Sequence, residues 1–258
     1  MTLDKNDLRH PDASDPLRSP KLKILRARIL IQELKTRISD YTRIVPCNLL
    51  IAPHPEVEGK TVVVARVEGT IPEEIALIAG DVVHNLRTSL DHVVCCLVAE
   101  NGQSMDDVSF PFARSARYFK KSASKKIRKI PTAAKILIKR LKPYRGGNDF
   151  LYCLHELDIR DKHRTLTLCT IYMGSWSGTF SCDHPIDVSV GPFAPLEQGV
   201  HLFTFPTGAK FEQNLGITFT ISLADVEGAN GEPIIDLLTK FVRLCERIIG
   251  IFERRFFT

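Results

Sequence analysis

Residues 72–98 read PEEIALIAGDVVHNLRTSLDHVVCCLV, and this stretch decides the fold. Ile75, Ile78, Val82, Leu86, Leu90, Val93 and Leu97 recur every three or four residues, the period that lays side chains along one face of an α-helix. Thr70 can cap such a helix, and Pro72 with Glu73 and Glu74 suits its first turn, where negative charge complements the helix dipole. Successive residues 100° apart place two polar stripes beside the apolar one: Asp81, Asn85, Thr88 and His92 on one flank, and His84, Arg87 and Asp91 on the other. Each such group costs about 1–3 kcal/mol if buried without hydrogen bonds. Their presence in an otherwise apolar helix marks either a site or a polar junction.

Outward from this helix, the chain reads as α+β. Leu22, Leu25, Ile29, Leu34, Ile38 and Tyr41 predict a first amphipathic helix of about 20 residues. Residues 48–52 and 60–67 predict a β-hairpin around Pro53-His-Pro55 and Glu58-Gly59. Residues 135–141 predict a further helix, and another starts near Asn148 with Phe150, Leu151, Leu154 and Leu157 facing inward. From Thr165 the pattern changes to short β-rich runs at 165–172, 186–190, 200–205 and 217–223, which predict an antiparallel sheet, and residues 234–252 close the chain as a helix. The expected architecture is a helical bundle core with a β-hairpin and a C-terminal antiparallel sheet. Residues 1–20, with three prolines and no periodicity, are expected to be a flexible tail. Residues 21–258 are expected to form a single composite domain, helical over about 21–164 and sheet with closing helix over about 165–258.

Composition narrows the function classes. The chain has 258 residues, 44% hydrophobic and 25% charged, ordinary for a globular protein. No apolar run approaches the roughly 18 residues that span a bilayer. The start is polar and carries acidic residues, unlike a secretory signal. The expectation is a cytoplasmic protein without membrane contact. Seven cysteines with no C-x-x-C spacing suggest buried thiols, not a disulfide framework or a cysteine zinc site. Neither a phosphate-binding Gly-rich loop nor a Ser or Cys nucleophile motif is present.

The net charge of +5 is unevenly spread. Residues 114–145 hold thirteen Lys and Arg and no Asp or Glu. The remainder of the chain is therefore net acidic. Tyr118, Phe119 and Tyr144 lie within the basic segment, and cations interleaved with aromatics suit phosphate contacts with base stacking. Lys120, Lys121, Lys125, Lys126, Arg128, Lys129, Lys139 and Arg140 are the candidate nucleic-acid-binding residues, with RNA or another polyanion as the partner. The same run also fits a solvated helical face.

A second polar cluster, Asp158, Arg160, Asp161, His163 and Arg164, lies where the helix after Asn148 ends. HNLRxxLDH at 84–92 together with LHELxxxDKHR at 154–164 resembles a widespread family of uncharacterised bacterial proteins, over roughly residues 72–165. More distantly, Arg87 followed by four residues and His92 is similar to the Arg-x4-6-His motif of HEPN domains, helical modules many of which are dimeric, metal-independent ribonucleases. The resemblance implies Arg87 and His92 as a catalytic pair, with His92 moving a proton and Arg87 holding phosphate oxygens while a 2′-hydroxyl attacks, and it implies no cofactor and no metal. His84, Asn85, Asp91, Asp158, Arg160, Asp161, His163 and Arg164 would support that site. A five-residue step turns about 140° around a helix, so the pair converges readily only across a helix pair or a two-fold homodimer.

The residues leave other readings open. Arg87 with Asp91, and Glu156 with Arg160, are i,i+4 pairs that stabilise a helix. The two motif segments can therefore form a structural polar core in a non-catalytic interaction or polyanion-binding protein. Alternatively, Asp81, His84, His92, His155 and His163 could gather as metal ligands within the bundle.

Overall fold

A computed structural model describes residues 10–188, 195–224 and 231–257. Six helices and six strands follow in the order α1 (Arg18–Ile44), β1 (Cys47–Pro53), β2 (Lys60–Val67), α2 (Glu73–Glu100), α3 (Ala116–Lys126), α4 (Thr132–Leu141), α5 (Asp149–His163), β3 (Leu168–Cys182), β4 (Asp187–Val188), β5 (Val200–Pro206), β6 (Phe211–Leu223) and α6 (Ile234–Phe256). The α+β architecture expected from the pattern is present. No described helix is long and apolar enough to cross a membrane.

The bundle is built around α2. All seven residues of its expected apolar stripe are buried, and α2 packs on α1, α5 and α6. The amphipathic α6 contributes Leu237, Leu238, Phe241, Val242, Cys245, Ile248, Ile249 and Phe252 to the same core.

The first helix begins earlier than the expected boundary at residue 20. Residues 1–9 lie outside the described residues, but α1 already includes Arg18–Pro20, and Leu17 is fully buried. Asp15 anchors this entry: its Oδ1 accepts from the Leu17 backbone N–H at 2.8 Å, and its Oδ2 pairs with Lys21 Nζ at 2.6 Å. Prolines obscured the helix start, because Pro20 sits in the first turn, where its missing N–H costs nothing.

β1 and β2 form the expected antiparallel hairpin. It does not stand apart from the later strands. β5 pairs with the second edge of β2 and β4 with β5, giving one sheet of order β1-β2-β5-β4, while β3 and β6 form a separate two-stranded ribbon. The signal lies in Val62-Val63-Val64-Ala65, a continuous apolar run where a one-sided hairpin strand would alternate. Val62, Val63 and Ala65 are all buried, as befits a central strand. The last two residues of the strand expected over 186–190 lie outside the described residues.

The ribbon covers the sheet through aromatic contacts, Trp176 on Phe203 at 5.4 Å, Phe180 on Phe203 at 4.8 Å and Phe205 on Phe211 at 4.8 Å between ring centres. Tyr41 meets Phe219 edge-on at 6.4 Å and ties α1 to the ribbon. Gly178, at φ +100°, lies so close to the Asn214 carbonyl that a Cβ would sit 1.9 Å from it, so the ribbon closes there only with glycine.

α3 is absent from the elements expected from sequence. Ser115 caps it by accepting from the Tyr118 N–H, and Phe119, Ala123 and Ile127 form its buried edge at i, i+4 and i+8. Three apolar residues among many cations gave too faint a periodicity.

Gly80, in the middle of α2, accommodates α5: a Cβ there would lie 2.0 Å from Asp161 Oδ1. Alanine normally stabilises a helix interior by about 1 kcal/mol relative to glycine. Gly80→Ala is expected to lower the melting temperature here, and the same change in an Asp161→Ala background to raise it, as read by thermal denaturation of the four proteins.

Candidate functional site

The two polar stripes of α2 face different partners. His84, Arg87 and Asp91 face α5 and the 110–112 segment, whereas Asn85 and His92 face α1.

Arg87 is 6% exposed. Its Nη1 lies 2.7 Å from Asp91 Oδ1 in an ion pair whose angle falls short of a hydrogen bond. Its Nη2 donates to the Phe110 carbonyl at 3.3 Å, and its Nε donates to His155 Nδ1 at 3.4 Å. The guanidinium sits 4.5 Å above the Phe112 ring, and Phe112 in turn stacks on His155 at 4.5 Å. Asp91 Oδ1 also accepts from the Phe110 N–H at 2.8 Å. Burial, reinforced by the Arg87 charge, holds the His155 imidazole down to about 3, which leaves Nδ1 free to accept.

Further towards the start of α2, Asp158 is 2% exposed and accepts from two sides. His84 Nδ1 lies 2.9 Å from its Oδ1, and Lys162 Nζ donates to its Oδ2 at 2.6 Å. The neighbouring Asp161 carboxyl is raised above the usual carboxylate range by burial, with Asp81 and Asp158 adding to it. Arg160 is half-buried on α5, and His163 and Arg164 are exposed at its end.

On the α1 side, His92 Nδ1 lies 2.7 Å from Ser19 Oγ, and Asn85 Oδ1 accepts from Lys23 Nζ at 3.2 Å. Burial and the Lys23 charge lower the His92 imidazole below its ordinary value. Arg87 and His92 are therefore not brought together within the chain, as their 140° separation foretold. Nor do Asp81, His84, His92, His155 and His163 assemble: His84 meets Asp158 of α5, His92 meets Ser19 of α1, and His155 stacks on Phe112. Among the described residues, no three His, Cys, Asp or Glu side chains gather to hold a metal.

The basic segment makes a second, separate surface. An Ala113 to Tyr144 β-bridge, with the Arg145 N–H donating to the Ala113 carbonyl at 3.3 Å, ties the start of α3 to the chain just past α4. Lys120, Lys121, Lys125, Arg128, Lys139 and Arg140 are exposed, while Lys126 is half-buried. Lys129 departs from the expected binding surface: its Nζ donates to the backbone carbonyls of Ser104 at 2.7 Å and Asp106 at 3.0 Å. Of the three aromatics, Phe119 is buried and packs near Tyr144 at 5.2 Å, which leaves Tyr118 the one chiefly exposed.

Beside α3 lies an open cavity of about 430 Å³, lined by Phe112, Ala113, Arg114, Tyr118, Lys121, Lys125 and Lys126. Four cations and, among the described residues, no carboxylate line it. The Arg114 guanidinium lies 4.0 Å above the Tyr118 ring. Burial, with Arg87 nearby, lowers the Lys126 ammonium from its ordinary value. Arg114 and Phe112 were not among the binding residues expected from sequence. Arg114 lies just before the Ser115 cap, outside α3, so its approach to Tyr118 only becomes visible once the start of α3 is placed.

No family model matches the chain, and no curated protein or solved structure matches it either.

The chemistry of the two places differs. Around Arg87 the Nε and Nη2 hydrogen bonds go to the chain's own groups and Nη1 is ion-paired with Asp91, an arrangement that joins α2, α5 and the 110–112 segment. Around α3 the cations face open space, where an anion can replace their water. Asp91→Ala leaves the buried Arg87 charge without its carboxylate and is expected to cost about 3 kcal/mol in urea denaturation, whereas the paired Arg87→Met/Asp91→Leu change costs less than that single substitution.

His155 adds a pH dependence. Its folded-state pKa lies below the unfolded value near 6.5, so its contribution to stability is complete above about pH 6.5 and is lost as pH falls towards about 3. Melting temperatures measured between pH 7 and 4 should fall less steeply in His155→Gln than in the wild type.

Proposed function

We propose that the protein binds single-stranded RNA, without cleaving it, through the face formed by α3 and the end of α4. One observation carries this reading: the cavity beside α3 is lined by four cations and the exposed ring of Tyr118, with no carboxylate among its described lining residues. Such a combination suits a nucleic-acid strand, whose phosphates need cations and whose bases stack on rings. Lys120, Lys139 and Arg140, exposed within a few residues of the cavity or of the bridge that ties α3 to α4, extend the cationic surface along which a backbone can run.

Catalysis has less support. A phosphate-holding Arg must offer N–H groups to substrate, and the Arg87 guanidinium is buried against Asp91, Phe110, Phe112 and His155. A partner copy cannot supply what is missing, because the obstruction lies within each chain. In this reading the likeness to HEPN domains reaches as far as RNA binding, and Arg87, Asp91 and Asp158 act as architecture.

Binding of a labelled single-stranded oligoribonucleotide, followed by fluorescence anisotropy across a salt series, tests this. Affinity is expected to fall linearly with salt on logarithmic axes, and the triple variant Lys120→Ala/Lys139→Ala/Arg140→Ala to reduce the slope by about 2, at roughly 0.7 for each phosphate that is no longer neutralised. His92→Ala is expected to bind like the wild type. RNA cleavage in EDTA that disappears in His92→Ala would overturn the non-catalytic reading.

A further inference from the structure

We infer that the cavity beside α3 seats a terminal phosphomonoester, so that the protein recognises the end of the strand it binds. The inference rests on the RNA-binding reading and deepens it. A surface that merely tracks a strand meets one negative charge per phosphodiester. Here Arg114, Lys121, Lys125 and Lys126 converge on one concavity, and none of the four forms an ion pair with a carboxylate among the described residues. The nearby Asp91 is already shared between Arg87 and the Phe110 N–H. A phosphomonoester carries about 1.5 to 2 negative charges at pH 7 and three acceptor oxygens, and so matches this cluster better than a diester does.

The remaining walls are suited to what adjoins such a phosphate. Phe112, Ala113 and Tyr118 give an apolar surface. A terminal base has one face without a stacking neighbour and can lie against it. Arg114 covers one face of Tyr118 at 4.0 Å, which fixes a guanidinium next to the ring that would receive the base. At about 430 Å³ the cavity falls within the range of about 300–1,000 Å³ usual for small-ligand sites. Lys126, half-buried and lowered by desolvation and by Arg87, holds a charge that an arriving dianion would stabilise.

The test uses the full chain and three oligoribonucleotides of one sequence, bearing a 5′-phosphate, a 3′-phosphate or hydroxyls at both ends, compared by anisotropy competition. One phosphorylated form is expected to bind about tenfold or more tightly than the hydroxyl form, and which one it is assigns the end. Arg114→Ala/Lys121→Ala is expected to abolish that preference, whereas Lys120→Ala/Lys139→Ala/Arg140→Ala weakens all three oligonucleotides alike and retains it. Equal wild-type affinity for the three would overturn end recognition while leaving RNA binding intact. Failure of the wild type to bind any of them would overturn the RNA-binding reading as well. Should the double variant not fold, competition on the wild type by a nucleoside monophosphate but not by the nucleoside supports the inference, and equal competition by both overturns it.

Discussion

The Arg87 guanidinium is the point on which the arrangement of the molecule depends. A charge this deeply buried is tolerated only when its N–H groups are met and its attraction to a partner offsets the desolvation. The Phe110 carbonyl and His155 accept hydrogen bonds, Asp91 supplies the opposite charge and the Phe112 ring its face, from three separate parts of the chain. Because Asp91 also holds the Phe110 N–H, residues 110–112 are tied to α2 at both their donor and their acceptor. The segment that leads into α3 therefore leaves the bundle in one direction, and α3 begins where that direction places it.

The same requirement explains why the motif and the cation-lined cavity are different places. HNLRxxLDH gathers the residue types used in acid–base and phosphate chemistry, yet in this fold their hydrogen bonds close internally. Asp158, with His84 and Lys162, repeats the pattern further along the contact between α2 and α5. Phe112 is the residue common to both places, under the guanidinium on one hand and in the cavity wall on the other.

The bundle was legible in the sequence because its helices are long and strongly periodic, and all seven stripe residues of α2 are buried. The internal ion pair of Arg87 with Asp91 was legible too, as an i,i+4 spacing. The divergence of Arg87 and His92 followed from helix geometry alone. The pairing of β5 with β2 was not legible, since residues about 140 positions apart in the chain leave no local trace of their contact, although the unbroken apolar run of β2 signalled that both its faces were covered. The cavity escaped for a related reason. Its lining joins Phe112 to Lys126 through a helix whose apolar period rests on three residues, and a basic segment read as a plain charge run conceals which cations converge and which, like Lys129, are already engaged.

The partnership of β2 with β5 also bears on how the molecule comes into being. Thr61 pairs with Phe205 and Val63 with Phe203, so the central strand of the sheet acquires its second neighbour only after the chain as far as about residue 206 has been made. Until then β2 carries an open, apolar edge, the kind of surface that recruits other strands. Closing such distant contacts carries a loop entropy that local pairing of α1 with α2 avoids, so topology favours that helix pair before β5 joins the sheet. The second edge of β2 therefore stays without its partner until residues 68–206 have been made.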